Sequence, residues 1–219
     1  MDSLSNSIGI LGGSFDPIHF GHLRLAQEAR DFLNLSEVRF VPAGRPPHRG
    51  PAKASDAHRV AMLDFATENN SSFSVDKREL GKTEPTYTID TLQSLRVEVG
   101  NNIPLVLFIG ADQFLLMHTW KRWQELTTVA HLLVAMRPNT EPFSPLNLAA
   151  EVRQWFQIHQ CDDPAKSTRS PAGHIFLLGL TPLAISSSAI RATIAARGSP
   201  RYLLPDPVLD YIRANKLYN

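Results

Sequence analysis

The segment Gly12-Gly13-Ser14-Phe15-Asp16-Pro17-Ile18-His19-Phe20-Gly21-His22 follows directly on a short apolar, β-rich run, Ile8 to Leu11. Two adjacent glycines remove side chains where a strand ends, so that phosphate groups can approach main-chain N–H groups closely. His19 and His22 lie three apart at the start of a predicted helix, a spacing that lets both rings share one face and point toward the glycine turn. At a phosphate site an imidazole donates hydrogen bonds and offsets developing charge. Two plainer roles compete: one ring caps the helix while the other packs, or the pair binds a transition metal. A zinc site lacks an obvious third ligand, because Cys161 sits in a remote loop. No Gly-Lys-Ser/Thr follows the glycines, and their spacing is not that of a dinucleotide fingerprint.

A second anion-binding pattern lies near the other end of the chain, in Ile185-Ser186-Ser187-Ser188-Ala189-Ile190-Arg191. Ser186 and Ser187 are good N-caps, and the free N–H groups of the helix they open make an anion site. Arg191, about one turn in, can reach the same anion. Alone, three serines are a simple helix cap. Two separate phosphate-type patterns in one chain favour the anion site.

The elements that must position these residues alternate. Predicted strands at Ile8 to Leu11, Val38 to Val41, Leu105 to Ile109, Thr128 to Ala135 and His174 to Leu178 are near-continuous apolar runs, as a parallel sheet buried on both faces requires. Between and after them fall predicted helices at Gly21 to Leu33, Ser55 to Glu68, Thr88 to Glu98, Leu148 to Phe156, Ser187 to Arg197 and Pro207 to Lys216. That order implies a Rossmann-like, doubly wound α/β fold, a mainly parallel sheet with helices on both faces. In such sheets ligands sit beyond the carboxyl ends of the strands, where the glycine turn lies. The prolines cluster in connections, and the polar stretch from Gln160 to Gly173 reads as a mobile surface loop without an assigned role.

Composition bounds the function. Of 219 residues 43% are apolar, enough for a sizeable core, and residues 1–219 read as a single domain. Twenty-two basic residues against 21 acidic ones give a net charge of +1, which argues against a protein that coats nucleic acid. The single Cys161 excludes an intramolecular disulfide and suits a reducing cytoplasm. No apolar run approaches the length of a membrane span, so neither a nucleic acid nor a membrane partner is expected. Oligomeric state is open.

The first motif resembles the opening signature of the adenylyl- and cytidylyltransferase superfamily, whose H-x-G-H motif is shared with class I aminoacyl-tRNA synthetases, and the Ser-Ser-Ser-x-x-Arg run resembles its second half. Pro46-Pro47-His48-Arg49, Pro85-Thr86-Tyr87-Thr88-Ile89-Asp90-Thr91-Leu92, Gly110-Ala111-Asp112 with Thr119-Trp120, and the closing Leu203-Leu204-Pro205-x-Pro207-Val208-x-x-Tyr211-Ile212 are similar to the bacterial nicotinate mononucleotide adenylyltransferase family. The likeness runs in order from Ile8 to Tyr218. It implies adenylyl transfer from ATP to nicotinate mononucleotide, giving nicotinate adenine dinucleotide and pyrophosphate in NAD biosynthesis, with no covalent enzyme intermediate. ATP would meet Gly12, Gly13, Ser14, Phe15, His19, His22, Ser186, Ser187, Ser188 and Arg191. His19, His22 and Arg191 would be catalytic, and His48, Arg49, Tyr87, Thr88, Asp112 and Trp120 would bind the acceptor.

The residue types suit these roles. Trp120 can stack on a flat pyridine ring, and Asp112 at a strand end can accept hydrogen bonds from ribose hydroxyls. Each also has a plain alternative: Trp120 as a core residue beside Trp123, Tyr87 as cover for a sheet edge, Asp112 as a helix cap, and His48 and Arg49 as a solvated turn. Mg²⁺ is expected on the triphosphate, held by phosphate oxygens and water, since no carboxylate cage is visible. Two rivals stand beside this reading. One is the same chemistry on another acceptor, such as nicotinamide mononucleotide or phosphopantetheine; the other is a non-catalytic nucleotide-binding or metal-binding module.

Overall fold

A computed structural model describes residues 6–47, 50–136, 144–181 and 183–219. Six strands form one sheet: β1 (Ile8–Gly13), β2 (Glu37–Pro42), β3 (Phe73–Val75), β4 (Leu105–Gly110), β5 (His131–Met136) and β6 (Ile175–Gly179). Every pairing is parallel and the order across the sheet is β3-β2-β1-β4-β5-β6. The chain winds outward from β1 in one direction, then returns to β4 and winds in the other. The carboxyl ends of β1 and β4 therefore diverge at the topological switch point, where an α/β sheet opens a crevice.

Helices cover both faces: α1 (Phe20–Leu33), α2 (Asp56–Thr67), α3 (Thr88–Val99), α4 (Ala111–Leu115), α5 (Leu126–Val129), α6 (Ala150–His159), α7 (Ser187–Ala195) and α8 (Asp206–Ala214). Because successive strand side chains point to opposite faces, the apolar runs feed two separate clusters. Val106 and Phe108 of β4 join Leu33, Met62 and Ile212 on one side, while Leu105, Leu107 and Ile109 join Leu92, Phe114 and Phe156 on the other. A strand buried on both faces needs apolar residues at every position, which is why periodicity of two is absent from these runs.

The differences from expectation have local causes. The predicted strand from Thr128 to Ala135 is split, with α5 over Leu126–Val129 and β5 beginning only at His131. Thr128 turns its hydroxyl back to the Glu125 carbonyl at 2.7 Å, and the Ala130 N–H closes on Leu126 O, so backbone groups here are satisfied within a turn. β3 was missed because it has only three half-buried residues. The stretch from Gln160 to Gly173 is anchored instead of loose. Gln160 bridges Ile175, Pro164–Ser167 forms a 3-10 turn, and the wholly buried Ser167 donates to Pro164 O at 2.7 Å and to Leu33 O at 3.3 Å.

Candidate active site

A cleft of about 590 Å³ opens at the carboxyl ends of β1 and β4. Its floor is the glycine turn. Gly12 and Gly13 end β1, and the chain then passes through Phe15, whose φ of 46° turns the backbone sharply and drops its ring beneath the cleft. Phe15 is fully buried and meets His22 edge-on at 5.1 Å and Phe40 at 5.7 Å. Its side chain supports His22 from below and takes no part in lining the cleft.

His19 is the N-cap of α1 and lies 3% exposed; its ring stacks on that of His22 with centroids 3.7 Å apart and planes 21° from parallel. Both rings line the cleft. Gly21 between them leaves room for the His19 ring. A Cβ at that position would stand 3.0 Å from two atoms of the His19 ring, tighter than ordinary contact allows. The spacing of the H-x-G-H motif thus has a steric origin as well as a helical one.

α7 meets this turn from the far end of the chain. Ser186 caps α7 by accepting from Ala189 N at 3.2 Å, and Ser187 donates its hydroxyl to Pro17 O at 2.9 Å. Arg191 donates to Asp16 O at 2.6 Å and, more weakly, to Ser188 Oγ at 3.3 Å. The two motifs, 164 positions apart from His22 to Ser186, share one wall of one cleft. The first N–H groups of a helix have no intrahelical partners, so the start of α7 beside Arg191 and the histidines offers an anion a set of donors.

The opposite wall is built by α3 and the loop after β2. α3 begins at Thr88 with Tyr87 as N-cap and no side-chain cap, and Thr86, Tyr87, Thr88 and Thr91 line the cleft. The loop is stitched to this helix twice. Arg45 N donates to Thr86 Oγ1 at 3.2 Å while Thr86 N donates to Arg45 O at 3.1 Å. Glu79 accepts from Gly44 N at 3.3 Å and from the Thr91 hydroxyl at 2.7 Å. Gly44 has no substitute here, since a Cβ would fall 2.1 Å from the Glu79 carbonyl oxygen. Lys121 rests over the Tyr87 ring at 4.3 Å and pairs with Asp90 at 3.0 Å.

Of the residues singled out in the sequence, the cleft gathers Gly12, Gly13, Ser14, His19, His22, Tyr87, Thr88, Asp112, Trp120, Ser186, Ser187, Ser188 and Arg191. Asp112 stands in the first turn of α4, exposed at the end of β4. Trp120 is half-buried and lines the cleft, Trp123 packs edge-on against Trp155 at 5.1 Å, and both lean on the same apolar cluster. His48 and Arg49 lie outside the described residues. Sequence reasoning missed Arg59, a fully buried guanidinium on α2 that donates to Ser14 O and Ala43 O at 2.8 Å each and pairs with Asp56 at 2.7 Å. It ties the turn after β1 to the end of β2. The signal was there: an arginine on the apolar face with Met62 and Leu63, preceded by Asp56 three positions earlier.

Comparison with known proteins decides the lineage. The family model described as cytidylyltransferase-like matches residues 10–193. Proteins called "Probable nicotinate-nucleotide adenylyltransferase" from Dechloromonas aromatica (strain RCB) and Aeromonas salmonicida (strain A449) are each 44% identical over 215 residues, covering 98% of this chain and 99% and 98% of theirs. The chain belongs to the cytidylyltransferase-like family and, within it, to the nicotinate-nucleotide adenylyltransferase family. The fold is shared at much lower identity. The Plasmodium falciparum nicotinic acid mononucleotide adenylyltransferase complexed with NaAD superposes with a TM-score of 0.71 at 20% identity, covering 97% of each chain. Among the described residues no helix is long and apolar enough to cross a membrane.

Proposed function

We propose that the protein is a nicotinate-nucleotide adenylyltransferase that joins the 5′-phosphate of nicotinate mononucleotide to the α-phosphorus of ATP, releasing pyrophosphate. The observation that carries this reading is the convergence of the His19–His22 stack, the α7 N-terminus and Arg191 in one cleft whose other wall is the uncapped start of α3. Relatives bearing that activity in their names match nearly the whole chain, which supports the same assignment. The meeting of both signature halves in one cleft supports reading residues 1–219 as a single adenylyltransferase domain.

In the reaction a phosphate oxygen of the mononucleotide attacks the α-phosphorus in line, a new P–O bond forms, and the bond to pyrophosphate breaks. A phosphate monoester is already anionic near neutral pH, so no general base is required and positioning with charge stabilisation dominates. The N–H groups of His19 and His22 stabilise charge on the α-phosphoryl oxygens in the transition state. Ser186, Ser187, Ser188 and Arg191 hold the β- and γ-phosphates, with Gly12, Gly13, Ser14 and the backbone of Phe15 beneath them. Trp120 stacks on the pyridine ring, the N–H groups near Tyr87 and Thr88 receive its carboxylate, and His48 and Arg49 add contacts to the acceptor. Asp112 accepts hydrogen bonds from a ribose.

Mg²⁺ is expected to arrive on the triphosphate as part of the substrate, held by phosphate oxygens and water. So carried, it neutralises phosphate charge. Substrates are small molecules, and a cytoplasmic location fits the lone Cys161.

The decisive experiment is ATP-dependent pyrophosphate release across a panel of acceptors. Nicotinate mononucleotide is expected to give the highest kcat/KM. Release with nicotinamide mononucleotide or phosphopantetheine in its place reassigns the acceptor, and ATP binding without release with any acceptor defeats the enzymatic reading.

A further inference from the structure

Asp16 carries no role in the reaction outlined above, yet it is 3% exposed and each of its oxygens is engaged. Its carboxylate accepts from Lys53 N at 2.6 Å, from Ala54 N at 3.1 Å and from the Tyr218 hydroxyl at 2.6 Å, while its backbone carbonyl accepts from Arg191. The nearest approach of its carboxylate to the Arg191 guanidinium is 3.9 Å, the outer limit of an ion pair. A buried carboxylate beside a guanidinium ordinarily closes on it in a bidentate fork. Here the three donors turn it away.

Tyr218 is the donor that comes from farthest along the chain, 202 positions from Asp16. It adopts a left-handed backbone with φ of 67°, a conformation that residues with side chains keep only where their surroundings hold them. Its ring packs with the cluster formed by α1, α2 and α8. Burial and the adjacent carboxylate push the phenol well above its ordinary range, so the hydroxyl stays protonated and donates near neutral pH.

We infer that Tyr218 is a positioning residue of the active site: its hydroxyl, bonded to Oδ1, fixes the plane of the Asp16 carboxylate, so that Arg191, anchored to the Asp16 carbonyl, does not also close on Oδ2 and keeps its other N–H groups for the triphosphate. This inference rests on the adenylyltransferase reading, and it assigns to the C-terminal segment a function in the ATP half of the site. Without the hydroxyl, Oδ1 keeps only its bond from Ala54 N, the carboxylate is free to turn, and Oδ2, 3.9 Å from Arg191, can close on the guanidinium and compete with the phosphates.

Tyr218→Phe tests this by keeping the ring in the core and removing only the hydroxyl. The kcat/KM for ATP is expected to fall roughly tenfold, the scale of one hydrogen bond to a charged group, while KM for nicotinate mononucleotide stays within about twofold. In an Arg191→Ala background the same substitution should add no further loss in the ATP parameter, because its effect runs through Arg191. Tyr211→Phe is the control. It deletes a hydroxyl of the same helical region, bonded to His58 Nδ1 at 2.9 Å, and should shift only the melting temperature. Unchanged ATP kinetics in Tyr218→Phe, equal losses for both substrates, losses that multiply with Arg191→Ala, or a chain that never folds would each overturn the inference. Wild-type turnover in the same assay tests the adenylyltransferase reading itself, whereas the ratio of variant to wild type tests Tyr218.

Discussion

Two stacked histidine pairs stand at opposite ends of the sheet. At the carboxyl ends of the strands His19 and His22 lie 3.7 Å apart on the wall of the cleft. At the amino ends His131, which starts β5, and His174, just before β6, stack at 5.3 Å with planes 8° apart. The second pair belongs to the scaffold. His131 is fully buried, its Nδ1 accepts from His174 N at 3.0 Å, and its Nε2 donates to Ser170 O at 2.8 Å. Nearby, Arg96 donates to the carbonyls of Gly100, Ile103, Val129 and Pro171. The basic residues at that rim tie loops together, whereas those at the other rim border a cleft. A pair of histidines is therefore no sign of chemistry by itself; the glycines, the helix N-termini and the open volume around it are.

The sharpest way to separate the two rims is to remove one histidine from each. His19→Ala should lower kcat by about a thousandfold, the upper range for losing one donor to a transition-state oxyanion, with little change in ATP affinity measured by calorimetry. Comparable losses in binding and turnover would move His19 from transition-state stabilisation to ground-state binding. His131→Ala should leave kcat within about twofold and lower the melting temperature instead.

The His131 rim also predicts a pH effect. Burial depresses this imidazole from 6.5 to about 4, so between those values the unfolded chain binds a proton that the folded chain refuses. Its contribution to stability is fully present above pH 6.5, declines as pH falls through that window, and is spent near pH 4. Denaturant titrations at pH 7 and pH 4 should differ by up to about 3 kcal/mol from this group, and His131→Gln should flatten the slope. Ser167→Ala, which removes a buried hydroxyl linking the Pro164–Ser167 turn to Leu33 O, should cost only about 1 kcal/mol in the same assay and leave turnover alone.

How much of this was readable beforehand follows from range. β1 with its two glycines, the H-x-G-H turn and the Ser-Ser-Ser-x-x-Arg helix are contiguous patterns whose chemistry is local, and the sheet with its covering helices follows from apolar runs alternating with amphipathic ones. What stayed hidden depends on contacts between distant segments. Arg59 stands on an apolar helix face with Asp56 three positions before it, but its bonds to Ser14 O and Ala43 O have no local signature. Asp16 lay inside a recognised motif, but its bonds to Lys53, Ala54 and Tyr218 have no local signature. The polar run after Gln160 looked loose because polarity measures solubility, while Ser167 is held by partners that no window of sequence contains.

The sheet also partitions the molecule's capacity for change. Phe40 and Met62 pack in one apolar cluster, Phe114 and Phe156 in the other, with β1 and β4 contributing to both. Substitutions that share no contacts combine additively, so a lineage can drift in one cluster while the other holds its packing. Gly12 and Gly110 are delivered to the same rim in either case. A parallel sheet buried on both sides thus gives this enzyme two nearly independent reservoirs of neutral variation behind one fixed catalytic edge.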